Sequence, residues 1–152
     1  MNHFTAVHDD LVNDSGSGGD QIEIVLTFEA LLRGEGPYQV RRDGTFLGAL
    51  FESLAALSVR VFAQASEATV AHLRTRGGER EVDLLVSRGD GCVVGVEVKL
   101  SETVEDADVR HLLWLRDELG DEFLDGIVVT TGRYAYRRED GIGVVPLALL
   151  GP

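Results

Sequence analysis

The chain has 152 residues, 44% of them apolar, which suits one globular domain with a single core and excludes two ordinary ones. Its formal net charge is −12, with half of it in residues 1–35, and an acidic surface opposes non-specific binding to a phosphate backbone. A lone cysteine, Cys92, excludes an internal disulfide. No apolar run nears the roughly 20 residues of a bilayer span and no signal pattern opens the chain, so a cytoplasmic protein without membrane contact is expected.

Residues 1–20 are rich in Asp, Asn, Ser and Gly, and "SGSGG" at 15–19 is linker chemistry; a mobile acidic arm is expected there. Residues 21–44 read as a leader with a short helix over 27–33, which Gly34 and Gly36-Pro37 end. The folded domain is placed at 45–152. Over 45–64, Leu47, Leu50, Phe51, Leu54, Leu57, Val61 and Phe62 recur at helical spacing, and Thr45 is a candidate N-cap. Residues 69–76 alternate as a strand and Gly77-Gly78 forms a turn. A returning strand then spans 81–87, "RGDG" turns again, and a third strand spans 92–100 with Cys92 as a small core residue.

A second helix is predicted over 104–119, with Thr103 and Asp106 as its capping box and Val109, Leu112 and Leu115 on its apolar face. Strands follow at 126–132 and 141–147, the latter placed at a sheet edge because of Pro146. The order α, three strands, α, two strands predicts an α/β (α+β) fold: a mixed sheet with helices packed on it.

The third strand, "CVVGVEVKL", holds Lys99, the only lysine in a chain with 13 arginines. Alternation puts Val94, Val96 and Val98 on one face and Gly95, Glu97 and Lys99 on the other, with Glu97 and Lys99 roughly 7 Å apart along the strand. In the preceding strand Val82, Leu84 and Val86 face one way, and Glu81, Asp83 and Leu85 the other. A hairpin in natural register brings Asp83 to the corner of Glu97. Two carboxylates beside an ammonium group make a hard-oxygen site for Mg²⁺ or Mn²⁺, and the cation acidifies a bound water. Arginine would serve an ordinary ion pair; a metal-bound water calls for a compact, titratable ammonium.

"EVD" at 81–83 and "EVK" at 97–99, on this order of elements, resemble the PD-(D/E)XK nuclease signature, with Val82 in place of the proline. The resemblance implies a restriction-endonuclease-like αβββαβ core. It implies that Asp83 and Glu97 hold Mg²⁺ (or Mn²⁺) with the carbonyl of Val98. It also implies that Lys99 assists the attacking water and that Glu52 in "LFES" adds an acid from the first helix. The segments "DGTFLGALFESL", "HLRTRGGEREVDLLV", "VVGVEVKLSETV" and "VVTTG" are similar to the C-terminal domain of a bacterial AAA-type ATPase family, domain of unknown function 4143. That family carries an ATPase module with a GxxxxGK(S/T) loop. With Lys99 as the sole lysine, this chain has no such nucleotide-binding loop.

Two functions follow as expectations. One is a Mg²⁺-dependent nuclease acting on DNA or RNA. The other is a non-catalytic module that dimerises or docks on an ATPase partner. Arg74, Arg76 and Arg80 flank the first hairpin and offer phosphate contacts or a solvated turn; Trp114, Tyr134 and Tyr136 are read as packing, and His72 and His111 as structural.

Overall fold

The structure, a computed structural model, describes residues 44–151. The expectations for the acidic arm and the leader helix lie outside the described residues. A helix, α1 (Gly44–Ala65), precedes three strands: β1 (Thr69–Arg74), β2 (Glu81–Ser87) and β3 (Val93–Val98). Helix α2 (Asp106–Leu119) and a 3-10 turn lead into β4 (Phe123–Thr130), and β5 (Tyr136–Arg137) and β6 (Gly143–Pro146) complete the chain order. The sheet runs β1-β2-β3-β4-β6-β5. The meander β1-β2-β3 is antiparallel; the crossover through α2 makes β4 parallel to β3, and β6 is parallel to β4. Over the described residues the fold is therefore a mixed six-stranded sheet with two α-helices.

One helix lies on each face. Ala55, Ala56 and Val59 of α1 pack on Leu84, Val96, Val98 and Val129. On the other face Val109, Leu112 and Leu115 of α2 pack on Leu73, Val82, Leu85, Val93, Val128 and Ile142. Two glycines seat α2. Gly95 and Gly126 stand side by side in β3 and β4, and a Cβ on Gly95 would meet Leu112 Cδ2 at 2.8 Å. Both core faces thus close around strands that carry valines at alternate positions.

Several expectations are corrected. The leucine face of α1 does not meet the sheet: Leu54, Leu57 and Val61 are 54%, 55% and 55% exposed. Helix α1 is apolar nearly all round, so periodicity could not choose its face; the narrow alanine stripe allows closer approach to the sheet. By length and composition α1 is also long and apolar enough to cross a membrane, which amends the expectation that no segment is. Helix α2 begins later than expected, with Glu105 as its N-cap and Asp108 accepting from the Glu105 N–H at 2.9 Å. Asp106 instead pairs with Arg138 at 2.6 Å. Cys92 lies just before β3, donating its N–H to Asp90.

Strand β6 is not an edge. It is flanked by β4 and by β5, a two-residue strand that sequence patterning did not mark. Pro146 fits because β5 pairs only with Gly143 and Val144, so no donor is required at its position on that side. Val82, expected with Leu84, joins the opposite core because β2 slips by one residue against β1: Ala71 faces Leu85, yet Leu73 faces Val82. Asp83 and Leu84 therefore stand opposite His72 alone, a β-bulge.

Candidate functional site

The bulge sits where β2 and β3 part. Their last paired residues are Leu84 and Val96. One step beyond, where Asp83 would face Glu97, a side chain replaces the ladder: Asp83 Oδ2 accepts the backbone N–H of Val98 at 2.7 Å. That bond fixes the Asp83 carboxylate against the third strand and satisfies an N–H that β2 no longer reaches. The Val98 carbonyl shares this strand edge with its N–H.

Glu97 is 4% exposed, one of two buried polar or charged residues among the described residues. Lys99 stands beside it, with Nζ 3.5 Å from Glu97 Oε2 and its side chain half-buried. The Lys99 N–H donates to Val129 O at 2.9 Å, so the backbone ladder to β4 continues and holds the lysine's base in place. Burial pushes the Glu97 carboxyl up to about 8; the neighbouring Asp83 charge adds to this and Lys99 opposes it. One ammonium does not offset both burial and a second carboxylate. Glu97 therefore keeps its proton near neutral pH.

Helix α1 brings Glu52 to the same end of the sheet. Its carboxyl is raised, first by burial and next by Asp83, with His72 and Lys99 opposing. Glu52 is thus in electrostatic reach of Asp83 and Lys99. Among the described residues, however, no three His, Cys, Asp or Glu side chains group closely enough to hold a metal. The donor set is two carboxylates and one carbonyl. This set fits Mg²⁺, which takes one or two carboxylates and completes its shell with water and substrate oxygens.

All three predicted strand residues, Asp83, Glu97 and Lys99, meet here with Val98. Sequence reading missed the bulge and the role of the Val98 N–H; neither leaves a local signal, since the slip is set by pairing with β1. The surroundings are structural. His111 Nδ1 lies 2.6 Å from Glu81 O and 3.4 Å from the Glu81 N–H, and Arg110 Nε donates to His111 Nε2 at 3.0 Å. Arg80 stacks over Trp114 at 5.6 Å. Both contacts pin the start of β2 to α2.

A mixed-sheet α+β domain with one acidic, lysine-bearing corner is the class these observations define. A family model described as "Domain of unknown function (DUF4143)" matches residues 47–150, and the chain belongs to that family. No match was found among curated proteins or among solved structures.

Proposed function

We propose that this domain is a Mg²⁺-dependent phosphodiesterase of the PD-(D/E)XK nuclease type, acting on nucleic acid. The observation that carries the reading is Glu97: a carboxylate buried to 4% exposure beside a second carboxylate and the chain's one lysine. Such a group is costly to keep in a core unless a cation or a proton answers it. In this reading Asp83, Glu97 and the Val98 carbonyl hold the ion, which supplies an acidified water and neutralises phosphate charge. Lys99 orients the attacking water and meets charge developing on the phosphate. Glu52 would add a further carboxylate near Asp83 and Lys99. Arg74, Arg76 and Arg80 place cationic groups in and beside the β1–β2 turn, next to the strand that carries Asp83, where an otherwise acidic surface must meet a phosphate backbone.

The test is cleavage of a DNA and RNA panel with Mg²⁺ or Mn²⁺. Asp83→Ala and Lys99→Ala are each expected to lower the rate roughly 100-fold or more. Activity that survives both changes would sink the proposal. A second reading, a non-catalytic interaction module, is favoured by the absence of a three-ligand group among the described residues. Calorimetric titration of Mg²⁺ into the wild type and Glu97→Ala separates the two: heat in the first alone supports the nuclease reading, and heat in neither supports the module.

A further inference from the structure

The segment "RYAYRR" at 133–138 interleaves three arginines with two tyrosines and holds no acid, in a chain whose net charge is −12. Neither tyrosine serves the packing expected of it: Tyr134 is 80% exposed and Tyr136 47%. Two of the arginines are engaged in the fold, Arg137 with Asp125 and Arg138 with Asp106 and Asp140. Arg133 is exposed and forms no ion pair among the described residues. The base of this loop is fixed. Thr131 donates its N–H to Ser101 O at 3.0 Å, Gly132 donates to the buried Thr130 Oγ1 at 3.2 Å, and a Cβ on Gly132 would lie 3.2 Å from Glu102 O. A held loop that keeps a tyrosine ring in water presents a flat apolar face at little conformational cost.

Strand register ties this loop to the acidic corner. Glu97 pairs with Val128, Val128 with Val144 and Val144 with Tyr136. One cross-strand row thus joins the buried acid to Tyr136 across three strand spacings, about 14 Å, on one face of the sheet. Strand β5 is antiparallel to β6, so Tyr134 and Arg133 lie beyond that row, at the end of the sheet where β3 passes into Lys99. We infer that Tyr134 and Arg133 hold an unpaired nucleic-acid strand beside the corner, the ring stacking on a base and the guanidinium meeting a phosphate. This rests on the nuclease reading for the class of substrate and adds its single-stranded state. Charge decides between single strand and duplex. Duplex binding draws on many phosphate contacts, which a chain at −12 opposes; stacking depends little on charge and needs a base whose face is free.

Fluorescence anisotropy on the full chain tests it, with a labelled oligothymidine strand and its duplex with oligoadenosine, and with Ca²⁺ as the oxygen-seeking cation in place of Mg²⁺. The single strand is expected to bind at least ~10-fold more tightly than the duplex. Tyr134→Ala is expected to weaken single-strand binding roughly 10-fold, and Tyr134→Phe, which keeps the ring, to restore it. Arg133→Ala is expected to reduce the salt slope of binding by about one, as for one lost phosphate contact. Both residues are exposed, so the melting temperatures of all three variants should match the wild type. A duplex bound as tightly as the single strand overturns the inference. So does single-strand affinity that Tyr134→Ala leaves unchanged, or no binding of either oligonucleotide. Cleavage assays keep the two readings apart. Metal-dependent cleavage whose KM is unmoved in Tyr134→Ala sinks the inference alone; single-strand binding that depends on Tyr134, with no cleavage, sinks the nuclease reading alone.

Discussion

At the β5–β6 end of the sheet, arginine meets acid with matched geometry; at the β2–β3 end, two acids face one lysine. Arg138, with 16% of its side chain exposed, bonds Asp106 at 2.6 Å, Asp140 at 2.9 Å and the Val104 carbonyl at 3.1 Å. Arg137 grips Asp125 with two bonds of 2.8 and 2.9 Å. Every partner there is held by a planar fork, and the Asp125 carboxyl lies below the usual carboxylate range because Arg137 donates to it. Glu97 goes the other way, raised to about 8 by burial and by Asp83. The contrast explains the use of the two cations. Arginine closes charge clusters that hold the fold, and lysine stands where two acids outnumber it.

The largest expected effect breaks the open cluster. Glu97→Gln is expected to raise the melting temperature at pH 9 by roughly 5 °C or more. The sign follows from linkage. A carboxyl with an ordinary value of 4.5 unfolded and about 8 folded keeps its proton in the native state across that window, so its contribution to stability falls as pH rises from about 4.5 to 8. Thermal melts across pH should show this decline in the wild type and its loss in Glu97→Gln. Millimolar Mg²⁺ should raise the wild-type melting temperature by mass action and leave the variant unmoved.

Next comes the closed cluster. Arg138→Ala leaves Asp140 Oδ2 and the Val104 carbonyl without this donor, though Asp140 Oδ1 keeps the Ile142 N–H, and is expected to cost about 2 kcal/mol in denaturant melts. A loss near zero would mean that water replaces the guanidinium fully. Asp125→Asn should cost less, about 0.5 to 1 kcal/mol, because the pair is partly exposed. Its sign is opposite to that of Glu97. The lowered Asp125 value adds stability above the ordinary carboxylate range, and that stability is lost as pH falls through the folded value. Smallest in stability is Lys99→Arg, expected within about 0.5 kcal/mol of wild type, since the lysine side chain is 35% exposed. Any cleavage activity should nonetheless drop at least tenfold, because a guanidinium does not present a compact charge. Equal rates for Lys and Arg at this position would erase the distinction between the two clusters.

The order of the elements along the chain, the β2–β3 hairpin and the meeting of Asp83 with Glu97 were legible in the sequence, because alternation and turn residues are local. What failed was settled at a distance. The bulge at Asp83 depends on which residues of β1 claim Val82 and Leu85. The buried side of α1 was hidden by a helix with apolar residues on every side, where small alanines fit and larger leucines do not. The α2 N-cap moved to Glu105 because Arg138, 33 residues further on, takes Asp106. The two-residue β5 has no period to detect.

The vacancy left by Gly95 and Gly126 reaches further than the helix that fills it. A Cβ at position 95 would meet Leu112 Cδ2 at 2.8 Å and press on α2, the helix that carries His111 and Trp114, whereas at position 126 it would first meet Ile142 Cδ1 at 2.7 Å. His111 and Trp114 grip the opening of β2, so the strain arrives at Glu81 and, two residues on, at Asp83. The missing methyl group at Gly95 is thereby linked, through α2, to the strand that carries an acid of the corner. Substitutions there should disturb the corner's chemistry without touching any group in it.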